Sequence, residues 1–512
     1  MRPAPGARAA LVACALLLAA CSSSGGNAAA TTGSPSPSSA SAAAVNVPTG
    51  DWTRFDFNAA RSGVGPAQTG ITARNLSSLR QRRVHLDGTV DSSPIELHAI
   101  RVRGRPRDLI IVTTAYGRTI ALDAGTGGKL WEYVPPDIRS YEGTPQITTT
   151  TPVADPGRRY VFAASPDGLI RKLAVATGHE VRSRHWPVHL TRDRTHEKLA
   201  SALNLSGREV IATTGGYVGD APPYQGHVVT IDRASGRIIH VWNSLCSGQH
   251  HLLVPSGCPV SDSAIWARSG AVVEPGSGRL LVATGNATGS RPFDGVSNWS
   301  DSVLELSADA ARLLHNWTPT SQAALSASDG DLGSTAPALP APVGGVRLAV
   351  QGGKDGKLRL LDLARLDGTS AGAGPRLGGE IQELSTPGGA GLFTAPAVWQ
   401  NAGRSYVFVA DASGTGAYVL TGGRQPRLHL AFQNANSGTS PIIAGGLLYV
   451  YDPGGAVRVY EPTRLQPLAS LPAAVGHWNS PIVIGGRVIV PEGDANQHAR
   501  DGTLDIYHLP GR

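Results

Sequence analysis

Residues Leu109–Trp131 read LIIVTTAYGRTIALDAGTGGKLW. An apolar run leads to Gly117, a second run closes at Ala121-Leu122-Asp123, a Thr126-Gly127 turn follows, and Trp131 ends the phrase. Short strands separated by glycine-bearing turns, with a terminal aromatic, are the pattern of one β-propeller blade. The Asp-turn part recurs at Ile231-Asp232-Arg233-Ala234-Ser235-Gly236, at Leu361-Asp362 and, more weakly, at Val175-Ala176-Thr177-Gly178. Trp242 lies two residues further beyond its glycine than Trp131 does, an even offset that keeps it on the same strand face. Trp131, Trp242 and Trp317 are therefore read as packing between blades.

A second repeat counts the blades. A small or hydroxyl residue followed by Pro or Ala recurs at Ser93-Pro94, Thr151-Pro152, Ser201-Ala202, Ser263-Ala264, Ala336-Pro337, Ala395-Pro396, Ser440-Pro441 and Ser480-Pro481. Fixed-grammar repeats at such intervals mark a radial array of small sheets. Eight openings predict an all-β, eight-bladed propeller; seven blades is the alternative, with the unit around Ser201 as an insertion. The last opening leaves room for only three strands, at 481–484, 487–491 and 503–509. The orphan run RQRRVHL at Arg80–Leu86 is expected to supply the fourth and so close the ring, which removes open sheet edges. The 63 Gly and 37 Pro suit a turn-dense chain, and 41% apolar content is ample for a core.

The charge balance is mildly basic, +7, but the arginines are scattered and no dense basic patch with interleaved aromatics is present. Nucleic acid is not an expected partner. No G-x-S-x-G elbow sits between a strand and a helix, and no H-E-x-x-H is present, which argues against the corresponding hydrolases. The His250-His251 pair near Cys246 and Cys258 does not have zinc-finger spacing.

The N-terminus reads as an export signal: Arg2 and Arg8, then an apolar stretch at 9–20 too short to span a bilayer. Leu18-Ala19-Ala20-Cys21 resembles the bacterial lipobox, which implies a signal peptide at 1–20 and a lipidated Cys21. Residues 21–50, rich in Ser, Ala and Pro, form a flexible tether, and 51–512 the propeller. The expected location is the outer face of the bacterial cell membrane, held by the lipid and without a transmembrane helix. In an oxidising compartment the two remaining cysteines, Cys246 and Cys258, are expected to form a loop-bracing disulfide.

Across nearly all of 51–512 the chain resembles the pyrroloquinoline quinone (PQQ) repeat superfamily. The entry phrases Asp51-Trp52, Ala60-Arg61-Ser62-Gly63 and Ile71-Thr72-Ala73-Arg74-Asn75-Leu76 resemble the opening of quinoprotein alcohol dehydrogenases. That superfamily holds both PQQ- and calcium-dependent dehydrogenases and cofactor-free scaffolds, so the fold leaves function open. The dehydrogenase pattern implies roles for particular residues. Trp266 would be the aromatic platform under PQQ, or else a core tryptophan. Asn286, in Thr284-Gly285-Asn286, would be a calcium ligand, or a turn residue. Asp329 or Asp331 would be the catalytic base and Asp331 a further calcium ligand; the alternative is a solvated Asp-Gly turn. Lys354 would polarise the quinone oxygen, or simply open a hairpin.

Three features of the pattern are lost. Tyr217 stands in Thr214-Gly215-Gly216-Tyr217 where a glutamate ligand is expected, with Asp220 as a conceivable substitute. The stretch 141–153, YEGTPQITTTTPV, has neither the vicinal cysteines nor the cofactor-binding arginine. The expectation is a monomeric, non-enzymatic binding or scaffold protein that needs no cofactor and meets a protein or envelope component. The loops Tyr217–Tyr224 and Phe293–Trp299 are candidate contact points. The alternative is a divergent dehydrogenase using PQQ and Ca²⁺ to oxidise an alcohol or sugar.

Overall fold

The computed structural model describes residues 50–217, 219–368, 374–423 and 425–510. The export signal, Cys21 and the tether up to residue 49 lie outside the described residues. Among the described residues no helix is long and apolar enough to cross a membrane.

Eight antiparallel sheets are arranged as blades around one axis. The phrase that opened the reading sits in blade 1, whose strands Ile95–Val102, Arg105–Thr113, Thr119–Asp123 and Lys129–Tyr133 pair in sequence order. The unit around Ser201 is a complete blade 3, built from Asn204–Ser206, Glu209–Thr213, His227–Asp232 and Ile238–Asn243. The seven-bladed alternative is thereby overturned. Blade 8 has Ile482–Ile484, Arg487–Glu492 and Gly502–His508 from the C-terminal end, and Arg80–Leu86 as its outer strand. The pairing runs from Arg80↔His508 to Leu86↔Gly502, as the orphan run required.

One opening was misplaced by the sequence. The inner strand of blade 4, Val272–Val273, begins after Ser269-Gly270-Ala271 rather than after Ser263-Ala264. Ser263-Ala264 is instead pinned toward the axis: the Ser263 N–H donates to the Asn286 carbonyl at 2.6 Å and the Ala264 carbonyl accepts from Gly285 N–H at 2.9 Å. Two segments shared the same small-residue signal, and only hydrogen bonding to the neighbouring blade separates them.

Both faces of a middle strand are covered by adjoining blades, so these strands are apolar almost throughout; Thr119–Asp123 is buried at every position. Two tryptophans dock on turns of the next blade: Trp131 from an outer strand and Trp186 from just before one, at Val188–His189. Trp131 donates its indole N–H to the Val175 carbonyl at 2.8 Å. A Cβ at Gly178 would lie 2.5 Å from the Trp131 ring, and one at Gly236 would lie 2.9 Å from Trp186. The turn glycine thus serves twice: it takes φ near +72° at 178 and leaves a flat seat for an indole.

The segment 51–66 laces the axis. The Ala154 N–H donates to Thr53, Val273 to Ala59, Val398 to Ser62 and Ile443 to Gly63. Trp52 bridges Glu96, and Arg54 donates to the Asn204 side chain and the Leu205 carbonyl. Six of the eight inner strands are touched. At its centre the buried Arg61 guanidinium donates to the carbonyls of Ser269, Phe55, Ala202 and Leu203.

Candidate functional site: the axial cavity

A cavity of about 230 Å³ opens on the axis. Most of its walls come from the residues just before the inner strands, where blades 1–6 and 8 each bring a loop to the centre. The loop before blade 4 supplies Trp266 and Arg268, and the loop before blade 5 supplies Asp329 and Asp331. Lys354 comes from the hairpin after Leu348–Gln351.

Four of the expected residues meet. The Lys354 Nζ lies 2.7 Å from Asp329 Oδ1 and 2.7 Å from Asp331 Oδ2, and 5.5 Å from the Trp266 ring centroid. The other oxygen of Asp331 accepts the Asn286 backbone N–H at 2.7 Å. Burial pushes the Asp331 carboxyl up to about 6 against the pull of the Lys354 ammonium. Burial also opposes the Lys354 charge, but Asp331 and Asp329 outweigh it and hold its pKa above the usual value. Asp329 is mostly exposed and Asp331 nearly buried. Asn286 joins this group through its backbone; its side chain is not among the groups that line the cavity.

Trp266 is one of three rings at the wall. Its centroid is 5.7 Å from Trp478 and 6.3 Å from Phe393, at 38° and 49° between planes. Phe393 and Trp478 stack at 5.1 Å and 10°. Opposite the acidic group lies a second cluster. Asp91 accepts from Arg268 Nη2 at 2.6 Å and lies 2.8 Å from His477 Nδ1. Burial alone would raise the Asp91 carboxyl, but Arg268 and His477 hold it below the usual carboxylate range.

The donor set can be tested against the groups that quinoproteins carry. A calcium ion takes six to eight oxygens, usually with more than one carboxylate. Here Asp331 spends its oxygens on an amide N–H and an ammonium, and Lys354 already supplies the positive charge beside it. Tyr217 is buried and donates its hydroxyl to the Arg194 carbonyl at 2.9 Å. Asp220 lines the cavity and accepts from the Tyr224 hydroxyl at 2.8 Å through one oxygen, which leaves only the second to replace a glutamate. These residues do not fit a calcium ion. A planar ring held between two aromatic faces needs about 7 Å, twice the 3.5 Å contact distance. The tilted Trp266, Phe393 and Trp478 rings lie closer than that and pack on one another. The stretch 141–153 fills its place with protein: Tyr141 and Ile147 pack with Tyr116 and Tyr217, and Thr148 and Thr149 donate to the Leu199 and Ala200 carbonyls.

Of the two loops proposed as contact points, the aromatic residues face inward while Val296 stays exposed. Tyr217 and Tyr224 are buried cavity walls, and Phe293 packs edge-on against the buried Trp299 at 6.1 Å. Cys246 and Cys258 are disulfide-bonded, which leaves no thiolate beside His250-His251 for zinc.

The PQQ_2 family model, described as outer membrane protein assembly factor BamB, matches residues 89–251. The chain has a PQQ-type propeller fold. No curated protein matches its sequence. Among solved structures, this PQQ-type propeller is similar to the quinohemoprotein alcohol dehydrogenase of Comamonas testosteroni, with a TM-score of 0.64 at 14% identity over 91% of this chain and 81% of that one. A europium-containing methanol dehydrogenase gives 0.64 at 16% over 92% and 99%. BamB from Moraxella catarrhalis gives 0.51 at 14% over 85% and 98%. At such identities the likeness is one of fold, shared with dehydrogenases and with an assembly factor alike.

Sequence reading missed Asp91, Lys198, Arg268, Phe393, His477 and Trp478. The signal was available: each lies one to three residues before a blade opening, once the opening of blade 4 is set at Ser269.

Proposed function

We propose that this chain is a non-enzymatic binding propeller of the bacterial cell envelope, exported and held at the outer face of the membrane by a lipid on Cys21. It works as a monomer and needs neither PQQ nor Ca²⁺. The observation that carries this reading is Tyr217, which stands where the resemblance puts a glutamate ligand and commits its buried hydroxyl to the Arg194 carbonyl at 2.9 Å. The lipobox-like Leu18-Ala19-Ala20-Cys21 supports the location. The rigid ring supports binding, since its loops converge on a cavity with charged and aromatic walls.

The test is a PQQ titration of the 45–512 segment, with and without Ca²⁺, followed by tryptophan fluorescence. No saturable change up to high micromolar cofactor is expected. Calcium-dependent quenching that Trp266→Ala abolishes would overturn the reading. For the location, Cys21→Ser should move the protein from the membrane fraction to the soluble one.

One observation favours the second reading, a divergent quinoprotein dehydrogenase. Trp266, Asp331 and Lys354 do converge, and a carboxylate titrating near 6 suits a general base. In that case Asp331→Asn would abolish PQQ-dependent dye reduction with an alcohol or sugar; without any such reduction in the parent protein the second reading fails.

A further inference from the structure

The chain has five lysines, and four are accounted for. Lys129 pairs with Asp87 and Glu132, Lys354 with Asp329 and Asp331, and Lys357 with Glu383. Lys172 donates to the carbonyls of Arg233 and Ala234. The fifth, Lys198, is 7% exposed and lines the axial cavity. Its ammonium has no hydrogen-bond or ion-pair partner among the described residues.

The placement is fixed by backbone. Lys198 sits on the two-residue strand Glu197–Lys198, which pairs with Gly215–Gly216, so that Lys198 faces Gly215 across the ribbon. Its preceding neighbour is clamped: Glu197 Oε1 lies 2.9 Å from His227 Nε2 and accepts the Gln225 N–H at 3.2 Å. The strand cannot turn to carry the ammonium out to water. Three charged groups act on it from the facing loops. Arg268 is a second cation, while Asp91 and Asp494 oppose it from a distance. Asp91 is itself committed to Arg268 and His477. Burial, with Arg268 acting in the same direction, brings the Lys198 ammonium down to about 8. Desolvation beside another cation is the setting in which a lysine becomes a nucleophilic amine.

We propose that Lys198 captures a small planar aldehyde or ketone as an imine inside the axial cavity. The neutral Nζ adds to the carbonyl carbon, forming the C–N bond as the C=O π bond opens. A proton moves from nitrogen to oxygen to give a carbinolamine. The C–O bond then breaks and the oxygen leaves as water with a proton taken from solvent, while the nitrogen returns its remaining proton to solvent, so that a C=N bond remains. No electrons change hands, and hydrolysis reverses every step. Trp266, Phe393 and Trp478 give the ring of such a compound an aromatic wall, and about 230 Å³ admits one ring with small substituents. The proposal rests on the reading of the cavity as free of quinone.

The experiment uses the folded protein with benzaldehyde as probe and cyanoborohydride as trap at pH 8, followed by peptide mapping of all five lysines. Lys198 is expected to carry the benzyl group at least about tenfold faster than any other lysine, with labelling that rises between pH 7 and 9. Lys198→Met should remove that label and leave the slow background on the surface lysines. Labelling of Lys198 no faster than of the exposed Lys129 and Lys357 would overturn the proposal. The parent protein alone decides this, so a misfolded variant does not obscure the answer. Binding of PQQ with Ca²⁺ would instead sink the binding-protein reading, whatever the labelling pattern.

Discussion

Single residues of the axial cavity carry most of what decides between its two uses, and they respond to protons. Asp301 shows the effect most cleanly. It lies behind the cavity wall, where one oxygen accepts the Leu332 N–H at 3.1 Å and the other the Ser326 hydroxyl at 2.8 Å. Burial pushes its carboxyl up to about 7. A group raised in the folded state contributes stability below its unfolded pKa near 3.8, and loses that contribution as pH rises toward 7. The parent protein should therefore lose stability between pH 4 and 7 through this group. Asp301→Asn, which can keep both hydrogen bonds, should reduce that loss by up to about 4 kcal/mol, read by denaturant unfolding at pH 4.5 and pH 8. An unchanged pH dependence would show that Asp301 titrates normally. At this scale the sequence was half legible. Trp266, Asp331 and Lys354 could be found because their phrases sit at recognisable places in the repeat. Lys198 and Trp478 were missed because nothing local marks a lysine or an indole as facing an axis; their place just before an opening becomes a signal only once the ring is known to bring those loops together.

Two pairs of neighbouring blades are held by the same joint between elements, an indole on the next blade's turn glycine: Trp131 on Gly178 and Trp186 on Gly236. Gly178→Ala places a methyl within the Trp131 ring and demands φ near +72° of a residue with a Cβ. A loss of about 2–4 kcal/mol is expected, and Trp131→Ala should cost about 3–5 kcal/mol. In the double variant the two losses should not add, because each removes the same contact; strict additivity in a double-mutant cycle would refute the joint. The Cys246–Cys258 disulfide spans a separation of 12 residues. Replacing both cysteines by serine should cost up to about 3 kcal/mol by the loop-entropy argument, measured as a lower midpoint in denaturant. Strands and turns were the most legible part of the sequence, since alternation and Asp-Gly turns are local signals. The fourth opening failed because Ser263-Ala264 and Ser269-Gly270 look alike until their partners are known.

The whole ring was legible from its arithmetic alone: eight openings, and a final blade one strand short. If the protein folds without metal, its melting temperature should be unmoved by EDTA to within about 1 °C, whereas a bound ion at a hundredfold excess over its Kd would contribute about 2.7 kcal/mol and melting would fall by several degrees on chelation. Differential scanning calorimetry of the 45–512 segment with EDTA or with added Ca²⁺ separates the two. Closure has a further consequence, and it concerns time. The partner of Arg80–Leu86 is Gly502–His508, which is made only after the strands of blades 1 to 7. From the moment it emerges, the early strand must wait for seven blades to be made before any edge exists to receive it. A β-strand with a free edge is open to pairing with other chains for as long as it waits. Four of its seven residues, RQRRVHL, are basic if His85 is counted, and like charges keep two copies of such a strand apart. The same strand that completes the finished ring is thus built to spend its life before closure in solution without a partner.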